Sequence, residues 1–371
     1  MANSFAPFGG TADNFVFVDV HQLAFLDMVA SSHPDVADLL RRFRLTLPGL
    51  LTTDSAKARK DGSRQLTAMH YASPARSLSR AVDPGTVSDV APRGFLPDVH
   101  AIAVRERLLS VAKDYNGCPF KTAGCESVCL AYSGHGGLSV AVQSARARRT
   151  LARLNSPAVY GRAVLFAAAR ELARARAAGL PLSLRLNGTD ETPWHRLRFV
   201  VTVLDAMAIR RRYGVTVATG SDLTIDEALA AVNDDVKRYE YLKAPVDGRD
   251  GLQAWRAAGV DVTASLAADR RNGLRQAIAA VAHGFRLAVP VDLPRGHAIP
   301  RRVVINAGLD RVVLSTVDGD TSDARHRDPS DYCAVILRGK RSRGSDPVKA
   351  AGFILPRDGL TLPGGSVSFD W

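Results

Sequence analysis

The sequence predicts an α/β protein with a mainly parallel sheet, in a partial or closed (β/α) barrel, preceded by an N-terminal appendage. Two observations carry this expectation. From about residue 100 onward, short apolar segments of four to six residues alternate with amphipathic helical segments, the pattern of parallel strands with helical crossovers. Five or six such units in succession favour a barrel over a doubly wound sheet. Composition agrees: 46% hydrophobic and 23% charged residues in 371 exclude a disordered or collagen-like chain.

In chain order, residues 1–48 read as the appendage. Phe15-Val-Phe-Val-Asp-Val20 has the composition of a short strand, and residues 23–44 have helical apolar spacing with Pro34 as a start or break signal. Residues 49–355 form the α/β domain and 356–371 a tail. A strand is expected over 65–73, then an irregular stretch over 74–98 bearing Pro74, Pro84, Gly85, Pro92, Gly94 and Pro97. Helices follow over 100–113, 139–154 and 160–178, the last stopped by Gly179 with Pro181 beyond. Strands are expected over 182–186, 215–218, 237–242, 261–265, 286–291 and 334–337. Helices over 197–212, 251–258 and 272–282 alternate with them.

Forty-nine basic against 37 acidic side chains give a formal charge of +12, carried by 41 arginines and eight lysines. A positive body attracts polyanions, so an anionic substrate or a nucleic acid is the expected class of partner. Four cysteines in 371 residues are too few for a disulfide scaffold. No apolar run approaches the roughly 18 residues of a membrane span. The first residues lack a basic region leading into an apolar one. The expectation is a cytoplasmic protein with no membrane partner.

Three of the four cysteines fall within twelve residues, as Cys118-Pro-Phe-Lys-Thr-Ala-Gly-Cys125-Glu-Ser-Val-Cys129. Thiolates are soft ligands, and Cys118, Cys125 and Cys129 on one loop suit an iron–sulfur cluster or, alternatively, zinc. The bland account is buried structural thiols. Cys333 or His135 would supply a fourth ligand for a closed site. Gly134, Gly136 and Gly137, just before the helix at 139, would let backbone N–H groups approach an anionic cofactor, or else form an empty cap. At the end of the strand at 182–186, Asn187, Thr189 and Asp190 are either a rim site or an Asx turn. Lys243 ends another strand. Arg338 and Lys340 stand in a basic loop suited to phosphate, though also to plain solvation. No P-loop, dinucleotide fingerprint or nucleophile elbow occurs.

These residues resemble a family carried by phages, prophages and plasmids that includes the mycobacteriophage gene product eighty-eight proteins. The resemblance rests on Leu50-Leu-Thr-Thr-Asp-Ser-Ala-Lys57, the loop from Cys118 to Leu130, the turn from Ser133 to Gly137, and Arg185 to Asp190 with Trp194. It continues through Tyr239 to Lys243, Val317 to Asp323 with Asp328-Pro329, and Arg338 to Arg343, covering about residues 50–355. The layout is similar to radical S-adenosylmethionine proteins, with an early cysteine loop followed by β-α units. The C-x6-C-x3-C spacing and Val128 before the last cysteine depart from that pattern. The leading expectation, carried by the cysteine loop, is an iron–sulfur protein, with S-adenosylmethionine as a further cofactor in an enzyme reading. Asn187, Thr189, Asp190 and Lys243 would then position substrate, with Arg338 and Lys340 on a phosphate. The alternative is a zinc- or cluster-stabilised nucleic-acid-binding protein of mobile-element replication.

Overall fold

The structure, a computed structural model, describes residues 33–53, 64–85, 94–132, 139–232, 234–294, 296–322, 325–329, 332–339, 350 and 352–371. The expected strand at Phe15–Val20 lies outside these. Helix α1 (Pro34–Arg42) starts with proline in its first turn and sends Val36, Leu39 and Leu40 into the main core, a position where proline's missing N–H costs nothing. After β1 (Leu66–Met69) come α2 (Ser77–Val82), α3 (Pro97–Arg105), α4 (Leu109–Asp114) and the short α5 (Ala123–Ser127). The single helix expected over 100–113 is two, because Arg107 takes a left-handed φ of 58° between α3 and α4, which a right-handed helix cannot continue through.

Helices α6 (Val140–Asn155) and α7 (Pro157–Ala177) complete the crossover to β2 (Leu182–Arg185). α7 is alanine-rich and lies buried along most of its length, with Tyr160, Val164, Phe166 and Leu172 in the core. The span 197–212, expected as one helix, divides into β3 (Phe199–Val201) and α8 (Val203–Tyr213). Thr202 and Asp205 form a reciprocal capping box that fixes the helix start. The β-prone Phe199-Val-Val instead pairs with β4 (Gly220–Leu223). Residues 215–218, expected as a strand, join no ladder; Ala218 donates its N–H to Ala228 O at 2.9 Å.

The short helix α9 (Ile225–Ala228) is not among the expected elements; the units after it are close to expectation: β5 (Val236–Leu242), α10 (Leu252–Ala257), β6 (Asp261–Ser265), α11 (Gly273–Ala282) and β7 (Arg286–Val291). Then follow β8 (Arg302–Ala307), β9 (Asp310–Asp318), β10 (Cys333–Arg338), β11 (Leu360–Leu362) and β12 (Gly365–Asp370).

Ten strands form one sheet in the order β1-β2-β5-β6-β7-β10-β9-β8-β12-β11. From β1 to β9 every neighbouring pair is parallel, and the last three pairings are antiparallel. The protein is thus a mixed α/β fold with a large, mostly parallel sheet. Among the described residues no pairing joins the two ends of this series. The strands β1, β2, β5, β6, β7 and β10 follow one another in chain order, so their carboxyl ends share one edge. No described helix is long and apolar enough to cross a membrane.

Candidate functional site

The cysteine loop lies as a strap along this carboxyl edge, fastened to successive strand ends by backbone groups. Beyond β1, Ala75 accepts the N–H of Gly117 at 2.9 Å while holding a left-handed φ of 44°, a conformation costing alanine about 1–2 kcal/mol. Beyond β2, the N–H of Glu191 donates to Gly117 O at 2.8 Å, and a Glu191 carboxylate oxygen accepts from Phe120 N at 3.2 Å. Beyond β6, Asp269 accepts the N–H of Gly124 at 2.9 Å. Arg270 completes the fastening by donating to Phe120 O and, at 2.9 Å, to Lys243 O. Thr122 caps α5 by accepting from Cys125 N at 3.1 Å, which orients the turn between the second and third cysteines.

The three thiols are half-buried and none is in a disulfide. Burial pushes all three above the ordinary thiol range, Cys118 well above and Cys129 to about 11. The same cation opposes that shift in each: the Lys243 ammonium draws the pKa of Cys118, Cys125 and Cys129 down. Desolvation alone would lower the pKa of Lys243, but Cys125, Glu191 and Cys118 together hold it above the ordinary lysine value. Its Nζ lies 3.3 Å from Glu191 Oε1 and 6.0 Å from the centre of the Phe353 ring. The sequence-expected residues Cys118, Cys125, Cys129 and Lys243 are therefore neighbours. Thr189 joins them through its carbonyl, 3.8 Å from Cys118 Sγ, while its hydroxyl donates to Ala72 O at 2.6 Å.

Asn187 and Asp190 face inward from the same turn. The Asn187 amide donates to Thr192 O at 3.1 Å and Asp190 accepts from the Thr192 hydroxyl. One oxygen of each, Asn187 Oδ1 and Asp190 Oδ1, is buried without a hydrogen-bond partner. Burial lifts the Asp190 carboxyl to about 6, against the pull of Arg153. The turn itself is held by Glu240 in β5, whose carboxylate accepts from Leu186 N at 2.8 Å and from Asn187 N at 3.1 Å. Burial raises Glu240 to about 7, opposed by Arg238 and Arg185.

Behind the strap, α6 presents Arg146, Arg149 and Arg153 at helical spacing. Arg146 donates to Ala131 O at 2.7 Å and Arg149 to Gly49 O and Tyr71 O, while Arg153 meets the Tyr115 hydroxyl at 2.5 Å. Arg146 also lowers the pKa of Cys129. Of the three arginines, Arg146 is the one that acts on a thiol, and a cation there favours the negative form of Cys129.

Other expected residues stand elsewhere. Arg338 at the end of β10 is occupied by Asp318, with two contacts of 2.8 Å, and by Asp320 at 3.5 Å. Cys333 begins β10, so it stands at the amino edge of the sheet, the edge opposite the one the strap crosses. Its thiol is buried beside Asp328, Arg286 and Arg325. Gly134, His135, Gly136, Gly137 and Lys340 lie outside the described residues. Glu240, Asp269 and Arg270 escape the sequence reading; the available signal is a carboxylate inside the apolar strand Tyr239-Glu-Tyr-Leu242.

Three thiols on one strap are the soft donor type that zinc and iron–sulfur clusters take. Among the described residues, no three His, Cys, Asp or Glu side chains form a group that could hold a metal ion. Lys243 supplies the positive charge to which all three sulfurs respond.

Fold and site together define an α/β protein with a three-cysteine strap across the carboxyl edge of a parallel sheet. Residues 78–216 match the family model described as Gene product 88, a likeness that the sequence resemblance anticipates. The matched span contains all three strap cysteines and the turn from Asn187 to Trp194. No curated protein and no solved structure matches the chain.

Proposed function

We propose that this chain is an iron–sulfur protein in which Cys118, Cys125 and Cys129 hold the cluster at the carboxyl edge of the sheet. In this reading the adjoining strand ends bind S-adenosylmethionine and an anionic substrate. One observation supports it above the others: three thiols on one fastened strap, all within the field of a single buried cation. Three cysteine ligands leave one iron of a four-iron cluster free for an outside ligand, and the bound group would supply one-electron chemistry there.

The protein's own residues have separable tasks. Deprotonated thiols are required for ligation, and Arg146 behind Cys129 offsets the negative charge they would carry. Glu191 holds the strap against β5 and compensates Lys243. Asn187 Oδ1 and Asp190 Oδ1 are acceptors with no protein donor, suited to an amino or hydroxyl group of a ligand. Glu240 keeps the backbone of that turn in place.

The test is anaerobic purification, reconstitution with iron and sulfide, and measurement of metal content, visible spectrum and 5′-deoxyadenosine release. About four irons per chain with S-adenosylmethionine cleavage supports the enzyme. Four irons without cleavage keeps the cluster and removes the enzyme. One zinc per chain with salt-dependent retention on nucleic acid would instead favour a metal-stabilised nucleic-acid-binding protein.

A further inference from the structure

The outer face of α8 presents three large apolar side chains to solvent, Val203 and Leu204 each 64% and Met207 61% exposed, with Val200 of β3 beside them at 45%. The inward residues Asp205 and Ile209 are buried, so the helix is already anchored on its other side. Single exposed apolar residues are ordinary, but a group of four on one helix–strand corner marks a surface that something covers.

The chain itself arrives at this corner. His33 is buried, its Nδ1 3.0 Å from Asp205 Oδ1 in the first turn of α8, and its ring packs on Phe166 at 5.1 Å between centroids. Arg162 ties the junction by reaching Asp205 at 2.9 Å and Asp35 at 2.6 Å. His33 therefore holds the chain against the first turn of α8 on the buried side of the helix, with Val203 and Leu204 on the outer side of the same turn.

The chemistry of residues 1–32 is complementary to that surface. In a chain of net charge +12, residues 1–32 contain no lysine or arginine and three aspartates, Asp13, Asp19 and Asp27. They also carry Phe15, Phe17, Leu23, Phe25, Leu26 and Met28. Beyond the apolar patch, α8 ends in Arg210, Arg211 and Arg212, all exposed. We propose that residues 1–32 dock on the α8–β3 corner of their own chain, with apolar residues covering Val200, Val203, Leu204 and Met207 and aspartates facing the three arginines. A tether of a few residues from His33 gives this segment a local concentration in the millimolar range, which favours it over a second copy of the chain.

The full-length protein with the photo-crosslinking amino acid p-benzoylphenylalanine at Met207 tests this. Irradiation should join position 207 to a peptide within residues 1–32 at the mass of one chain. Adducts at the mass of two chains, or only to other segments, would overturn the proposal. A second reading uses Leu204→Asp/Met207→Asp, which alters only exposed side chains. Limited proteolysis within residues 1–32 should accelerate about tenfold or more, the effect of losing roughly 1.4 kcal/mol of docking. The charge pair Arg210→Glu/Arg211→Glu should accelerate it to a smaller extent. Equal cleavage rates in wild type and both variants would overturn the proposal.

Discussion

Glu191 and Lys243 lie 3.3 Å apart, and the carboxylate that meets the ammonium also accepts the backbone N–H of Phe120 and of Lys243 itself. One side chain thereby joins the end of β2, the end of β5 and the middle of the cysteine strap. Both partners are largely buried, so the pair acts where water screens little.

Glu191→Gln should leave Lys243 without its counter-charge and loosen the strap together. Breaking a buried pair by removing one partner costs about 3 kcal/mol or more. Urea denaturation should show that loss, and hydrogen exchange should speed up at Phe120 and Gly124. Unchanged stability would mean that the pair does not hold the strap.

Glu240 makes stability depend on pH in a stated direction. Its folded pKa, raised to about 7 mainly by burial, lies above the ordinary glutamate value. The carboxyl therefore binds a proton more tightly in the folded state, and its contribution is full below about pH 4.3 and lost as pH rises toward 7. At about 1.4 kcal/mol per pH unit this amounts to roughly 3 kcal/mol. Glu240→Gln should gain by that amount relative to wild type between pH 4.5 and 7.5 in urea titrations. Parallel curves for the two proteins would refute the assignment. Asp190, raised to about 6, adds a slope of the same sign in both.

Gly188 is a contact between two strand ends. A Cβ there would lie 2.6 Å from His70 O and from the Tyr71 ring, closer than any side chain tolerates. Gly188→Ala should cost about 2–4 kcal/mol and displace the Asn187–Glu191 turn. Denaturation at the wild-type midpoint would show that the close approach is not needed.

The metal-free thiols should be sluggish nucleophiles. With Cys129 at about 11, its alkylation by iodoacetamide at pH 8 should run roughly 100-fold slower than a free cysteine and climb with pH well past 9. A rate equal to that of unfolded protein would contradict the burial argument.

Much of this was legible from sequence because helical and strand periods are local. β6 falls on the expected residues, and α11 and β7 agree within a residue, since each has a clear apolar pattern and a glycine or charged stop. The strands that make the antiparallel pairings, β8, β9 (which is also parallel to β10), β11 and β12, were not legible. Their faces are mixed, as in β9 where exposed and buried residues alternate only in part, and the period-2 signal is weak. β3 was hidden inside a helical run, because only the Thr202–Asp205 cap separates them. Within the site, the cysteines and Lys243 were visible as residue types on loops. Glu240 and Asp269 act through backbone groups far away in sequence, at Asn187 and Gly124, and no local pattern announces such a partner.

The most direct measurement is iron content after anaerobic reconstitution, wild type beside Cys125→Ala. Wild type should hold about four irons per chain, with a sulfide-to-iron absorption band, and the variant next to none. Equal iron in both proteins, or none in the wild type, would contradict the iron–sulfur assignment.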